Sequence, residues 1–413
     1  MACRGTPAGS RPRLSIDDIA EQYVRLTLQL AQHQPSLVET WLGPGGWRPG
    51  PRRPVPEVRA EIGDVQAAMA DLAAQVEPDD RFQYLQQQLG ALFVAARRLS
   101  GESMGFVEEA RASLGSDAAE MVNRFGGHAN GVDEPAATAA RADLQRRLPG
   151  RGPLHERYAA FRSRHALPAA RILPVLQAAV DICRRRVRPH IPLPESENVQ
   201  LETTTGLGLA GRAIYQGDFR SRVLADTSGP LDLAQLVWLV AHETYPGHHV
   251  QHVLADRELV QAQPERALHP SFGRHLLCAE GAAEAGAALL LEGAVFEEVC
   301  RDLAQLAGTR SGDVAELVAV HRSVAELDPV IAATARAYLD GALGSEAAAD
   351  QLSARALVID AQRFLFVIER QRTRLLAYPV GRRLVTAHVF DAPAARRWHR
   401  LADVATTMTL PSP

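Results

Sequence analysis

The stretch from Leu231 to Ala241 is almost free of charged residues, and it runs directly into His242 and Glu243. Its apolar residues recur at the i, i+3, i+4, i+7 spacing of an α-helix, at Leu233, Leu236, Val237 and Val240. Burying an imidazole beside a carboxylate is costly unless a metal ion or a hydrogen-bond partner compensates. The sequence therefore predicts a buried helix whose last residues belong to a polar site.

The residues after this helix modify a known zinc-binding pattern. In His-Glu-x-x-His motifs, two histidines one turn apart hold zinc and the glutamate is the general base. Here Pro246 occupies the fifth position, and the next histidines are His248 and His249. In a straight helix they would lie roughly 9 to 10 Å beyond His242 along the axis. Because proline disrupts a helix and glycine tolerates unusual dihedrals, Pro246-Gly247 predicts a kink that returns one of them to the metal.

The order His-Glu-x-x-Pro-Gly-His at 242–248 resembles the signature of the bacterial family called domain of unknown function 885. Members of that family are similar to zinc metallopeptidases of the gluzincin type. Further matches are Tyr215-Gln216-Gly217, Ser221-Arg222 and Ala377-Tyr378-x-x-Gly381. The resemblance covers about residues 187–389. It implies a large helical metallopeptidase-like fold, one Zn²⁺ ion, and a peptide or small amide as substrate.

The resemblance also implies the metal ligands. Gluzincins take a third ligand from a glutamate on a later helix, and Glu280 is the natural candidate, beside His242 and His248. Glu284 follows Glu280 by four residues, and such a like-charge pair disfavours a helix unless positive charge faces it. We expect Glu284 to orient a ligating histidine through its other ring nitrogen. The choice between His248 and His249 as second ligand stays open, and the other histidine is expected close behind the ligands.

Glu243 is the predicted general base, and the resemblance implies that Tyr378 donates a hydrogen bond to the oxyanion. Residues expected to contact the substrate are Tyr215, Arg222 and Tyr245. Further arginines that could recognise a substrate carboxylate are Arg220, Arg372 and Arg374. The strand around 212–224 is expected to hold an extended substrate by edge pairing.

The remaining pattern predicts a mainly α fold with a small β-hairpin or short sheet next to the metal site. Helical stretches are predicted at Ser15–Leu30, Pro56–Val76, Asp79–Leu99, Met104–Phe125, Pro153–Arg164, Pro168–Arg188 and from Leu231 onward. Glycine, threonine and β-branched residues at 198–227 predict the strands. The predicted organisation is a disordered tail (1–14), a helical region (15–190), a metal-binding catalytic region continuous with it (191–405) and a frayed tail (406–413).

Composition excludes several functions. All 45 basic residues counted as lysine or arginine are arginine, so the lysine of a P-loop and the Schiff-base lysine of a pyridoxal enzyme are absent. A net charge of -3 gives no reason to expect nucleic acid or a membrane surface as partner. The four cysteines form no C-x-x-C pair. The N-terminus from Met1 to Arg13 has no apolar core of signal-peptide length, and no apolar run reaches the length of a membrane span. We therefore expect a cytoplasmic protein.

Three other functions compete with peptide hydrolysis. Two histidines and one carboxylate also describe an iron(II) oxygenase, but a general base beside the first ligand suits hydrolysis. A hydrolase or transferase of a small amide or ester would use the same residues. A metal-free scaffold is the third, and the intact set of His242, Glu243 and Glu280 argues against it.

Overall fold

The computed structural model describes residues 14–125 and 135–410. The predicted tail at 1–14, apart from Leu14, lies outside the described residues, and so do 126–134 of a predicted loop and the last three residues. Within the described ranges the fold is mainly α-helical, with two small sheets. The predicted fold class is confirmed.

In the described N-terminal part, helices surround a single short strand. The elements are α1 (Ile16–Ala31), β1 (Val38–Trp41), α2 (Val55–Ala73), α3 (Asp80–Leu99), α4 (Phe106–Leu114), α5 (Ser116–Phe125), α6 (Pro135–Arg147), α7 (Leu154–His165) and α8 (Ala169–Val187). Ser15 caps α1 through a capping box with Asp18. The stretch predicted as helical from Met104 to Phe125 is divided, because Gly115 ends α4 with a φ of 108°.

The predicted strand region forms a three-stranded sheet. Its strands are β2 (Asn198–Thr204), β3 (Gly211–Gly217) and β4 (Arg220–Asp226), in the order β2-β4-β3. β3 and β4 form the predicted antiparallel hairpin, with Ile214 opposite Arg222, and β2 runs parallel to β4. β3 is thus an edge strand, beside the predicted metal helix.

The C-terminal part is again helical. Its elements are α9 (Leu233–Glu243), α10 (His248–Glu258), β5 (Leu268–Pro270), α11 (His275–Leu290), α12 (Val295–Ala307), α13 (Val314–Ala325), α14 (Asp328–Leu339), α15 (Ser345–Ala356), α16 (Ala361–Gln371), α17 (Ala377–Phe390) and α18 (Ala394–Thr407). A 3-10 segment, Arg372–Leu376, precedes α17. The frayed tail predicted from Thr406 is wrong for its described part. Thr406 is buried in α18, and Met408 and Leu410 pack against the largest core.

Packing joins the two parts of the chain. The strands β1 and β5, which the sequence did not predict, pair antiparallel. Ala267 and Leu268 lie in the core formed by α1, α2 and α3. The largest core includes α7, α8, α9, α12 and α13, so it lies behind the predicted metal helix. None of the described helices alone combines the length and apolar character of a membrane span, although α7 and α8, bent by 83°, pass as a pair on length and composition.

Candidate metal centre

Helix α9 delivers His242 and Glu243 to the interior. Asp232 and Gln235 form a capping box at its first turn, which satisfies backbone N–H groups that would otherwise lack partners. The helix is buried along most of its length, and its last two residues are His242 and Glu243. Both side chains are less than 10% exposed. The buried helix predicted from sequence therefore ends in a buried polar pair.

The chain breaks after Glu243 and returns as α10 at His248. The Tyr245–Pro246 peptide bond is cis, and the Gly247 N–H donates to the carbonyl of Ala241 at 3.1 Å. A Cβ on Gly247 would lie 1.6 Å from the carbonyl oxygen of His242, so the turn accepts only glycine. The turn brings the rings of His242 and His248 to a centroid distance of 4.8 Å. His248, rather than His249, reaches the first histidine.

Helix α11 supplies the third group. Oε2 of Glu280 lies 3.3 Å from Nε2 of His242 and 3.4 Å from Nε2 of His248. The candidate ligand atoms of these three residues all lie within 4.8 Å of one another. They therefore form a compact group of two imidazoles and one carboxylate.

An unsatisfied oxygen shows that this group fits a cation. Oε2 of Glu280 is buried and has no hydrogen-bond partner among the described residues, which is an expensive state for a carboxylate. Burial alone would lower the pKa of His242, but Glu280 and Glu284 outweigh it and raise that pKa well above its usual value. Burial would raise the pKa of Glu280, yet His248 and His242 lower it. The group thus favours positive charge at its centre, and two nitrogens with one carboxylate oxygen suit zinc.

Glu284 contacts the far side of the first histidine. Its Oε1 lies 2.9 Å from Nδ1 of His242, a hydrogen-bond distance with a bent angle at the ring nitrogen. Trp238 Nε1 donates to the same oxygen at 3.4 Å. The structure places Glu284 where the sequence expected it. Its carboxylate can hold the His242 ring so that Nε2 points toward Glu280.

Glu243 stands beside the three candidate ligands and is held by the sheet. Its Oε2 accepts a 2.8 Å hydrogen bond from the backbone N–H of Ala213 on β3. Glu243 and Ala213 both line the cleft that contains His248 and Glu280. No sequence pattern points to Ala213, because its contribution is a backbone N–H, which every residue except proline has.

Tyr378 reaches the site from α17. Its ring stacks on His242 with centroids 6.3 Å apart and planes inclined by 20°. Burial and the Glu280 carboxylate hold the pKa of Tyr378 well above its usual value, so the phenol stays protonated. A close helix crossing permits this approach, since a Cβ on Gly281 would lie 2.4 Å from the carbonyl oxygen of Gly381. The Gly381 of the predicted motif therefore has a packing role.

The cleft has a volume of about 380 Å³, within the range of small-ligand sites. Three further histidines line it, namely His252, His269 and His275. His252 and His269 stack with centroids 4.3 Å apart. Burial lowers the pKa of His269 to about 4 and that of His275 to about 3, so both are neutral at pH 7. The metal group is the one cluster in the described ranges with metal-ligand spacing.

Two predicted site residues belong to a buried brace. Tyr245 was expected to contact substrate, but it is 1% exposed and its hydroxyl donates to the carboxylate of Glu197. His249, expected behind the ligands, is fully buried and contacts Glu197 at 3.0 Å and Ser221 at 2.8 Å. Arg184 pairs with the same glutamate at 2.6 Å. These residues anchor the turn between α9 and α10 to the sheet. Tyr245 does not line the cleft, and His249 packs behind the turn that carries His248.

The other two predicted substrate contacts, Tyr215 and Arg222, also lie outside the cleft lining. Tyr215 is buried, with its hydroxyl bonded to Asp256 and its ring stacked on His252. Arg222 lies 4.0 Å from Glu202 on the sheet and does not line the cleft. The sequence motifs identify the types of residue near the site, but they do not show in which direction each side chain points.

Comparisons with known proteins bear on the fold. No family model matches the chain, and no curated protein does. One similar solved structure is a "putative lipoprotein" from Colwellia psychrerythraea, with a TM-score of 0.51, 13% identity, and coverage of 96% of this chain and 73% of that chain. Another is a "putative lipoprotein of unknown function" from Shewanella oneidensis, with a TM-score of 0.45, 11% identity, and coverage of 86% and 71%. The Colwellia likeness concerns the fold alone.

Proposed function

We propose that this protein is a zinc-dependent hydrolase that cleaves short peptides, in keeping with its resemblance to the domain of unknown function 885 family and to gluzincins. The observation that carries the proposal is the buried Oε2 of Glu280, which faces Nε2 of both His242 and His248 and has no hydrogen-bond partner in the described part of the chain. Glu243 stands outside the ligand group, as a general base must.

Each residue of the site has a separate role in the proposed reaction. His242, His248 and Glu280 would hold the ion, which supplies Lewis acidity that polarises a carbonyl and makes water easier to deprotonate. The Ala213 N–H donates a hydrogen bond to Oε2 of Glu243, so Oε1 is the oxygen that can accept a proton. In the proposed reaction, Oε1 takes the proton of the attacking water and passes it to the leaving amine. Tyr378, protonated at neutral pH, donates to the carbonyl oxygen as it gains negative charge.

Two features support a peptide as substrate. The cleft volume of about 380 Å³ suits a short peptide or a small amide. β3 is the edge strand of its sheet and lines the cleft through Gly211, Arg212 and Ala213. An extended peptide can add to such an edge through backbone hydrogen bonds.

The test combines metal analysis with a hydrolysis screen. Protein purified without added metal is expected to carry one zinc per chain. Short peptides, small amides and esters are then assayed with and without chelator, beside the Glu243→Gln variant. We expect turnover that stops with chelator and returns with zinc, and a loss of about 10²- to 10⁴-fold in the variant at unchanged zinc content. Chelator-insensitive turnover, or equal turnover by the variant, would remove the proposal.

The proposed location is the cytoplasm. The three described cysteines, Cys183, Cys278 and Cys300, are buried and unpaired, as is usual in a reducing compartment. Because the Colwellia protein is described as a "putative lipoprotein", fractionation of native cells is the appropriate check. Recovery of the protein in the envelope fraction would overturn the cytoplasmic assignment.

A further inference from the structure

The cleft wall carries more positive charge than the metal site requires. Apart from Glu243 and Glu280, its acidic residues are Glu39 and Glu109. Its arginines are Arg98, Arg212, Arg266, Arg370 and Arg374. Outside the proposed metal site, five arginines therefore face two glutamates. The proposed hydrolysis step does not by itself require any of these arginines.

Two of these arginines, Arg212 and Arg374, contact one carboxylate, that of Glu39. The three residues come from segments that are distant in sequence. Nη2 of Arg374, in the 3-10 segment, lies 3.0 Å from Oε1 of Glu39 on β1. Nη2 of Arg212, on β3, lies 3.3 Å from the same oxygen. One carboxylate neutralises one guanidinium, so the trio retains a net positive charge. In addition, Nε of Arg212 is buried and has no hydrogen-bond partner among the residues that the structure describes.

The trio lies beside the proposed reaction centre. Arg212 directly precedes Ala213, whose N–H holds Glu243. Arg374 precedes Tyr378 by four residues, and the Tyr378 ring stacks on His242. All these residues line the same cleft. A substrate held by the two arginines would therefore place a bond close to its anionic end next to Glu243.

The other arginines considered from sequence are unsuited to this role. Arg372 is committed to Glu109, with Nε 2.7 Å from Oε2, and Arg220 pairs with Asp218 at 3.0 Å. Arg222 has the same 40% side-chain exposure as Arg212 but lies away from the cleft. Of the four arginines proposed from sequence, only Arg374 lines the cleft.

We infer that Arg212 and Arg374, spaced by Glu39, bind the terminal carboxylate of the substrate, so that the protein removes residues from the free C-terminal end of short peptides. This inference rests on the proposed function. Guanidinium groups pair with carboxylates through two parallel hydrogen bonds, and a partly desolvated pair adds affinity and orientation. The bond next to the C-terminus is then the one presented to Glu243.

The test separates binding from catalysis. Calorimetry measures the binding of hippurate and of its neutral amide, hippuramide, to the zinc-loaded protein. We expect hippurate to bind about tenfold more tightly or better. Arg212→Gln and Arg374→Gln, made separately, are expected to lose this preference, whereas the matched Arg222→Gln variant keeps it. Equal binding of the two probes by the wild type, no binding of either, or equal loss in Arg222→Gln overturns the inference.

A paired hydrolysis assay keeps the two proposals distinguishable. Hippuryl-phenylalanine and its C-terminal amide are compared with wild type and the same variants. Preference for the free acid, lost through KM in the arginine variants, supports the inference. Equal, chelator-sensitive cleavage of both peptides overturns it and leaves the hydrolase proposal standing. If Arg374→Gln loses kcat equally on both peptides, Arg374 stabilises the oxyanion and does not bind the terminal carboxylate. This outcome also overturns the inference. If either Arg212→Gln or Arg374→Gln misfolds and binds neither probe, the result from the other arginine variant decides whether the inference stands.

Discussion

Oε1 of Glu284 lies 2.9 Å from Nδ1 of His242, on the side of the ring opposite Glu280. The two glutamates stand one turn apart on α11 and contact the two nitrogens of one imidazole. Their like charges, which would disfavour an isolated helix, are thus compensated across the helix interface. The same contact can hold the His242 ring so that Nε2 points toward Glu280, and this makes it a target for testing the proposed metal site.

Weakening this contact should weaken zinc binding. Glu284→Gln keeps the size of the side chain but removes the charge that favours the ring orientation, and we expect a 10- to 100-fold rise in the zinc Kd. Competition with a chromogenic chelator measures the Kd. The control is Glu292→Gln, since Glu292 is exposed and pairs with Arg397 on the surface. If Glu284→Gln and Glu292→Gln bind zinc with equal affinity, Glu284 does not contribute to zinc binding.

Gly247→Ala should disrupt the turn between the two histidines. The added Cβ would lie 1.6 Å from the carbonyl oxygen of His242, so backbone must move. We expect a lower Tm and loss of stoichiometric zinc, measured by thermal unfolding and metal analysis. Gly63→Ala is the matched control. Gly63 lies inside α2 with open space around it, so alanine there should stabilise by roughly 0.5–1 kcal/mol.

Removing the Tyr378 hydroxyl should slow turnover and leave binding intact. Tyr378→Phe keeps the ring that stacks on His242 but cannot donate to an oxyanion. We expect kcat to fall roughly 100-fold with KM nearly unchanged. The control is Tyr338→Phe in α14, which removes a hydroxyl that donates to the exposed Glu369 of α16. A Tyr378→Phe enzyme of wild-type kcat would exclude this residue from the chemistry.

Asp328 should make stability depend on pH. Burial raises its pKa from 3.8 to about 6, despite the nearby Arg382. The folded state therefore binds more protons than the unfolded state between these values, and this residue's contribution to stability falls as pH rises through that window. Asp328→Asn removes the effect, so relative to wild type it should gain roughly 1–3 kcal/mol above pH 6 and nothing near pH 4. Urea unfolding from pH 4 to 8 measures this difference.

Much of the architecture was predictable from local pattern. Helical periodicity and capping residues identified α1, α3, α8 and α9, because each helix buries one face at a spacing visible in the sequence. The proline and glycine between His242 and His248 predicted a break in the helix, and the structure has one. The separation of Glu280 and Glu284 by four residues placed both on one helix face.

The sequence by itself determined which groups could perform the chemistry, since His242, Glu243 and His248 lie within seven residues and a local turn relates them. Tertiary packing decided everything that joins distant segments. Glu39, Arg212 and Arg374 meet because β1, β3 and the 3-10 segment, which are distant in sequence, line the same cleft. Tyr215 and Tyr245 became buried braces for the same reason: side-chain direction depends on the surface that another segment covers, and no local periodicity records that surface.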